Sequence, residues 1–473
     1  MTDLSKTATL QRQLGPVDAA AIVIANVVGV GIFTTPGIVA SMVPHPLGLL
    51  GVWIAGGVLA FAGAMAYAEL AARYPRAGGE YVYLKESYGP LMAFLTGWTS
   101  FIAGFSGAIA AASIGCATFI GRFFPIAGDA APLARLGLGP VTFSVSPRTI
   151  VAILIITSIS AIHMRGLHTG RIFQNTLTGL KVAALLLLIV GGFTVGGGSV
   201  THFTGGSNVA LGSWATAMIP VMFSYSGWNA ATYVAEEIRE PGRNVPRALA
   251  LGTATVVLLY VALNAVYLYA LPIASFGGVR VGETATARLL GQSAASALSA
   301  TTIVIILSSI SAMVLAGPRV YYAMARDGLF FTAASRVHPQ YRTPYIAIAS
   351  QAVWSTLLVL SGTFEQLLMY TGFAVLLFAG IAVASLFVVR RTAVTTTNGF
   401  AAWGYPGAPI LFCLASFAIV ANAIREQPVV SLTGLAIIAS GIPLYWWFAY
   451  RASREVGVGT RRYLPRRRPV VSG

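Results

Sequence analysis

The sequence predicts an all-α polytopic membrane protein of about 12 transmembrane helices, with the first and the sixth broken at mid-span. Three observations carry that prediction: very little charge, helix-length apolar runs along nearly the whole chain, and two interruptions set five runs apart. Of the 473 residues, 56% are hydrophobic and 9% charged, and the mean hydropathy is +0.77. So few charges cannot cover a water-soluble globule of this length. A membrane-crossing helix needs about 20 apolar residues. Runs of that kind fall at 17–41, 47–72, 90–121, 149–165, 172–196, 213–236, 246–271, 295–323, 345–361, 363–389, 408–424 and 430–450.

Around these runs the chain divides simply. Residues 1–16 read as a cytoplasmic N-terminal segment, 17–451 as one transmembrane domain and 452–473 as a basic cytoplasmic tail. The start, MTDLSKTATLQRQLGP, lacks a short apolar stretch before a small-residue cleavage site, so no secretory signal peptide is expected. A net charge of +16 raises the question of nucleic acid, but the placement of the basic residues excludes it. Loops on one side carry Arg73, Arg76, Lys85, Arg239, Arg243, Arg326 and Arg390, among others, and the tail adds RRYLPRRRP. The opposite loops carry Arg122, Arg135, Arg148, Arg280, Arg288 and Arg425. That asymmetry is the positive-inside bias, and it predicts a multi-pass protein of the plasma (inner) membrane with both termini cytoplasmic and the tail against the inner leaflet.

No cofactor or metal is expected. Cys116 and Cys413 lie inside apolar runs, as small packing residues do, and His45, His163, His168, His202 and His338 are scattered without an HExxH spacing. A polytopic membrane enzyme is therefore the remote reading.

The first run contains NVVGVGIFTTPGIVA, Asn26 to Ala40. Each glycine weakens a helix by roughly 1 kcal/mol relative to alanine, and Pro36 with Gly37 follows at once. The sixth run reads WATAMIPVMFSYSGWNAATYVAEE, with Ser224, Tyr225, Ser226, Gly227 and Asn229 clustered at its middle. Small-residue packing or interhelical hydrogen bonding explains either break alone. Two matched breaks five runs apart fit an inverted repeat of five helices plus five, with the last two runs as additions. Broken backbone at membrane depth is tolerated only where it is buried or lines a polar cavity, so spans one and six are predicted to form an occluding substrate site rather than a continuous pore. Lys181, in LKVAALLLLIV of span five, is the remaining anomaly. A mid-membrane charge costs roughly 2.5–3.5 kcal/mol on insertion scales, and its position is too deep for simple snorkelling.

These residues resemble the amino acid–polyamine–organocation superfamily, particularly bacterial amino acid permeases and L-type amino acid transporters. The resemblance rests on GVGIFTTPG in span one, YPRAGGEYVYLKESYGPLMAFLTGW leading into span three, FSYSGWNAATYVAEEIREPGRNVPRAL around span six, and GPRVYYAMARDGLF after span eight. It implies a LeuT-type fold and a secondary active transporter of amino acids working by alternating access. By motif position, the amides of Val30 and Gly31 are implied to hold the substrate carboxylate, with Gly29 and Gly31 allowing close approach. The carbonyls of Val27, Phe223 and Ser226 are implied to take the amino group, Phe223 to act as an aromatic gate, and Asn229 to tie the sixth-span break to its neighbours. Such a division suits a carbonyl-bearing helix end facing a cation and an amide-bearing end facing an anion. Many relatives have Ser or Thr where Val30 stands, so no side-chain hydroxyl is offered there. Lys181 matches a fifth-span lysine of sodium-independent members, an ammonium in place of a sodium ion.

The acids bear on substrate. Glu69, Glu80, Glu86, Glu236, Glu237 and Glu240 fall near the cytoplasmic side, where pairing with arginines is expected, and Glu365 near the outer end of span ten. With no carboxylate at mid-span, a neutral amino acid is favoured, carried by exchange or by coupling to protons. A cationic amino acid or polyamine carrier of the same fold is the alternative. No cysteine stands in the loop between spans three and four, so no covalent heavy-chain partner is expected. The partners are the amino acid and the bilayer.

Overall fold

The structure, a computed structural model, describes residues 9–29, 31–138, 141–276, 281–362, 364–392, 399–426 and 428–456, with backbone alone for 138, 141, 364–373 and 453–456. Val30, the side chain of Glu365 and the tail from 457 lie outside the described residues.

Span one is two helices. α1 (Pro16–Val27) begins on a proline, where no amide partner is needed, and Gly15 N–H donates to the Asp18 carboxylate at 2.7 Å. It stops at Val28, whose backbone is extended. α2 (Gly31–Met42) resumes on an axis bent by 47°. Span two is α3 (Pro46–Arg73), capped by His45 Nδ1 accepting from Gly48 N–H at 3.1 Å. A short helix, α4 (Glu80–Tyr88), follows where hydropathy alone indicates a loop. Span three is α5 (Pro90–Thr99), a π-helical turn Ser100–Gly104, and α6 (Phe105–Ile120).

The connection after it departs from the all-helical expectation. After a single turn, α7 (Pro125–Gly128), it folds as an antiparallel hairpin of β1 (Ala134–Leu138) and β2 (Val141–Val145), with Ala134 opposite Val145. The strands are five residues each and alternate polar with apolar residues, too short a pattern to register as an apolar run.

The remaining helices are α8 (Pro147–Met164), α9 (Leu167–Thr194), α10 (Leu211–Ser224), α11 (Pro241–Ala270), α12 (Val281–Leu290), α13 (Gln292–Arg326), α14 (Tyr345–Ser361), α15 (Phe364–Thr392), α16 (Gly407–Glu426), α17 (Pro428–Ala439) and α18 (Gly441–Val456). Among the described residues, nine helices are long and apolar enough to cross a membrane, and the α1–α2 pair makes a tenth; α10 and α14 are shorter apolar helices. The chain is a polytopic helical membrane protein.

Eight of the spans pack in two groups. α1, α2, α3, α10 and α11 form one, with α11 against both α1 and α3, and α10 against α2. Missing side chains let them approach: a Cβ on Gly57 of α3 would lie 2.7 Å from Val257 of α11, and one on Gly252 of α11 would lie 2.7 Å from Val23 of α1. α6, α8, α13 and α14 form the other around their own core, which includes Ile109, Ile156, Ile310 and Ile348. α9 touches both groups.

The end where α1 begins is sealed by polar contacts. Gln13 and Leu14 N–H donate to the Glu237 carbonyl at 2.9 and 3.0 Å, and Arg239 N–H returns a bond to Leu14 at 2.9 Å. The Glu237 carboxylate is fully buried and takes two bonds from Arg319 of α13, at 2.8 and 3.0 Å.

Candidate functional site

A helix that stops in mid-membrane leaves carbonyls without their intrahelical donors. At the end of α1 these are met by side chains from three other spans. Lys181 lies on the buried face of α9, which also carries Gln174 and Thr178. Its Nζ is 2.5 Å from Val28 O, 3.1 Å from Ala25 O and 3.1 Å from Ser309 Oγ of α13. An ammonium has three donors, and all three have an oxygen acceptor here. Ser309 Oγ is itself 2.9 Å from Val28 O. The buried Tyr260 of α11 donates to Val27 O at 2.8 Å and lies 3.2 Å from Ser224 O, so one hydroxyl spans the breaks of both helices. Edge-on contact with Trp53, centroids 5.5 Å apart, fixes the ring.

The two glycines of GVG play different parts. A Cβ on Gly29 would meet only Ser309 Oγ, at 3.9 Å, so space remains beside its backbone. A Cβ on Gly31 would stand 3.1 Å from Ser224 Oγ, so its bareness lets α2 approach α10. Ser224 Oγ donates to Thr35 Oγ1 at 2.8 Å and joins the same two helices. Val30, between the glycines, is outside the described residues, and its amide is not placed.

The sixth-span break is longer than an interrupted helix requires. α10 ends at Ser224, the chain turns through 225–229, and it continues as 3-10 turns Ala230–Thr232 and Ala235–Glu237 rather than as a second α-helix. Gly227 has φ +98°, a conformation that other residues rarely adopt, and its Cα packs on span one: a Cβ would lie 3.0 Å from Asn26 Cβ. Phe223 O accepts from Ser226 N–H at 3.0 Å, and the Phe223 ring is 56% exposed. Ser226 is half-buried beside it. Asn229 Nδ2 donates to Tyr233 at 3.0 Å and to Glu80 at 3.4 Å.

Val27, Gly29, Gly31, Phe223, Ser226 and Lys181 thus belong to one neighbourhood, and Asn229 stands at its far edge. Sequence reasoning missed Tyr260, Ser309 and Trp53. Tyr260 stands in VVLLYVALNAVYLYA, where nothing separates it from its apolar surroundings except Asn264 one turn on. It missed, too, the π-helical turn of span three, a feature often found at functional sites, whose carbonyls Ser100 and Ile102 accept from Tyr321 at 3.2 Å and Trp354 at 2.9 Å.

Most of the acids near the sealed end do pair with arginines. Glu69 bonds Arg73 at 2.8 Å and Arg390 at 2.5 Å, Glu86 bonds Arg76, and Glu236 bonds Arg326 at 3.0 Å. Glu80 does not. It accepts from Tyr67 at 2.8 Å and from Thr96 and Asn229 at 3.4 Å each. The reason is local: Gly79 has φ +53°, and a Cβ there would strike Tyr233 at 2.7 Å, so the Gly-Gly pair brings the first residue of α4 in against the sixth-span segment.

A family model described as amino acid permease matches residues 14–448. The b(0,+)-type amino acid transporter 1 of Mus musculus is 28% identical over 454 residues, covering 94% of this chain and 89% of its own. The serine/threonine exchanger SteT of Bacillus subtilis is 27% identical over 444 residues, covering 92% of this chain and 97% of its own. The large neutral amino acids transporter small subunit 2 of Homo sapiens is 27% identical over 466 residues, covering 93% and 81%.

Proposed function

The chain belongs to the amino acid permease family, and we propose that this transporter carries neutral amino acids across the plasma membrane as a sodium-independent exchanger working by alternating access. It moves its substrate rather than transforming it. The observation that carries the reading is Lys181 bound to the carbonyls of Ala25 and Val28, a fixed cation at the negative end of a helix broken beside an unfilled Gly29. With that position held by the protein's own ammonium, no sodium ion is needed to brace the break. The amides of Val30 and Gly31 take the substrate carboxylate, and the carbonyls of Val27, Phe223 and Ser226 take its ammonium. Val27 O has a second lone pair beyond its bond from Tyr260. Phe223, exposed at the edge of the break, closes over the occupant.

Neutrality of the side chain is supported by the absence of any acid or arginine from 26–40 and 223–229. Exchange is supported by similarity to the serine/threonine exchanger. The reading takes the fold as twelve crossings with a five-plus-five inverted repeat. Spans that it relates do pack together: α2 with α10, α3 with α11, α6 with α13 and α8 with α14. The sealed, arginine-rich end is the cytoplasmic one, with both termini there. The protein acts without a covalently attached heavy chain, since Cys116 is buried in α6 and Cys413 lies in α16, away from the loop after span three.

Purified protein in liposomes, given radiolabelled serine, threonine, leucine, lysine and putrescine with and without internal amino acid, tests this. Uptake of the neutral amino acids that depends on internal amino acid and not on sodium is expected. Uptake confined to lysine or putrescine replaces this reading by the cationic one.

A further inference from the structure

Resting on the transport reading above, we infer that Glu80 is a proton-binding site of the transport cycle, its carboxyl held against the broken sixth span by neutral donors alone. The acids on the elements packed around α4 each hold a cation: Glu69 has Arg73 and Arg390, Glu86 has Arg76, Asp327 has Lys85 at 2.5 Å, Glu236 has Arg326 and Glu237 has Arg319. Among the described residues no lysine or arginine forms an ion pair with Glu80.

What faces it is uncharged. Tyr67 comes from α3, Thr96 from α5, and Asn229 and Tyr233 from the segment after the break. Its own helix adds Tyr83, edge-on to Tyr67 at 5.6 Å. The cations of α15 and α4, Arg390 and Lys85, are bound to Glu69 and Asp327. Tyrosine hydroxyls ionise only near pH 10, so the carboxyl is the first group of this cluster to change charge as pH rises. Burial pushes the Glu80 carboxyl up, more than its hydroxyl bonds pull it down.

A bound proton has a mechanical consequence. Ionised, Glu80 only accepts, and it receives Asn229 N–H and the hydroxyls around it. Protonated, it carries an O–H and must turn one of those contacts round. The hydroxyls of Tyr67 and Thr96 can turn to accept that proton, whereas Asn229 Nδ2 can only donate, and its bond weakens because a neutral carboxyl is a poorer acceptor than a carboxylate. Two residues before Asn229 lies Gly227, seated on Asn26 of the first-span break. A proton taken from the cytoplasm and later returned to it therefore alters how firmly the sixth-span segment is held against the side from which substrate must leave.

The test uses the full chain in liposomes, with exchange of radiolabelled serine and leucine measured between about pH 5 and about pH 8, the range in which most proteins are stable. The wild-type rate is expected to follow a titration curve. Glu80→Gln should lose the inflection and stay near the acid limb, and Glu80→Asp should keep an inflection displaced along the pH axis. A second readout does not need transport. A carboxyl whose folded-state pKa is raised stabilises the fold while protonated and loses that contribution as pH rises through the folded value. The Tm of the wild type relative to Glu80→Gln in detergent should accordingly fall as pH rises.

Identical pH profiles for wild type and Glu80→Gln in both assays overturn the assignment, as does an undisplaced inflection in Glu80→Asp should the glutamine variant not fold. If the wild type moves no amino acid, the transport reading fails while the Tm comparison still decides the proton site.

Discussion

Lys181 Nζ and the carbonyl oxygen of Val28 lie 2.5 Å apart, joining the middle of the fifth span to the residue at which the first span stops. In an unbroken helix Val28 O would accept from the amide of Ile32, and Ala25 O from that of Gly29. One ammonium therefore stands in for two missing amide donors. The cost of the break is met from a neighbouring helix, and so the break can persist in a buried setting.

Replacing Lys181 by Ala leaves Ala25 O unpaired, at about 1–3 kcal/mol, and Val28 O with the Ser309 hydroxyl alone. Exchange in liposomes is expected to fall at least about tenfold, the equivalent of 1.4 kcal/mol, with a lower Tm. Lys181→Arg should not rescue it, since a planar guanidinium does not reproduce a compact point donor. Wild-type exchange in either variant would remove Lys181 from the site.

Tyr260→Phe deletes the hydroxyl shared by Val27 and Ser224 while keeping the ring against Trp53. A net loss of about 0.5–1.5 kcal/mol for the hydrogen bond predicts a KM raised by roughly twofold to thirteenfold, with the fold intact. Concentration dependence of exchange, alongside a thermal melt, separates this outcome from simple destabilisation; an unchanged KM would show that the hydroxyl does not shape the break.

Alanine at the three glycines should cost in a definite order. Gly227→Ala forces a strained φ and strikes Asn26, Gly31→Ala crowds Ser224 Oγ at 3.1 Å, and Gly29→Ala meets only Ser309 at 3.9 Å. Stability should fall most for Gly227 and least for Gly29. Substrate binding should be lost at Gly29 even so, because there the methyl group enters the space left for the substrate. Ligand-induced change in Tm measures both, and an equal Tm for Gly227→Ala and wild type contradicts the packing described.

Glu237→Gln leaves Arg319 buried without its counter-charge, for which roughly 3–5 kcal/mol of destabilisation is expected. Combining it with Arg319→Met removes both charges and should recover much of the loss, giving a large coupling in a double-mutant cycle. Additive effects would mean that the pair is not a unit.

Much of this was legible in the sequence, for identifiable reasons. The apolar runs had to be helices because only satisfied backbone survives in hydrocarbon, and GVG and FSYSGWN stood out because glycine and small polar residues there work against a membrane helix. Lys181 was visible because a charge in that setting is costly. Tyr260 and Ser309 were not, since tyrosine and serine are ordinary in such helices and only their spatial convergence gives them a role. The β-hairpin escaped because its alternation is short, and Glu80 was read with the other acids because pairing is decided by which arginines come near, which a linear chain does not disclose.

The backbone bonds between Gln13, Leu14, Glu237 and Arg239 have a further consequence. They are made by groups every residue but proline possesses, so the half-buried side chain of Gln13 and the exposed one of Arg239 can vary widely without opening that zipper. What cannot vary is spacing. The zipper at Leu14 and the stop at Val28 are both anchored to other parts of the protein, so the stretch between them acts as a ruler of fixed length. Inserting or deleting one residue of α1 would turn its anchored face by about 100° and shift it by about 1.5 Å, and either the zipper or the lysine contact would have to give way.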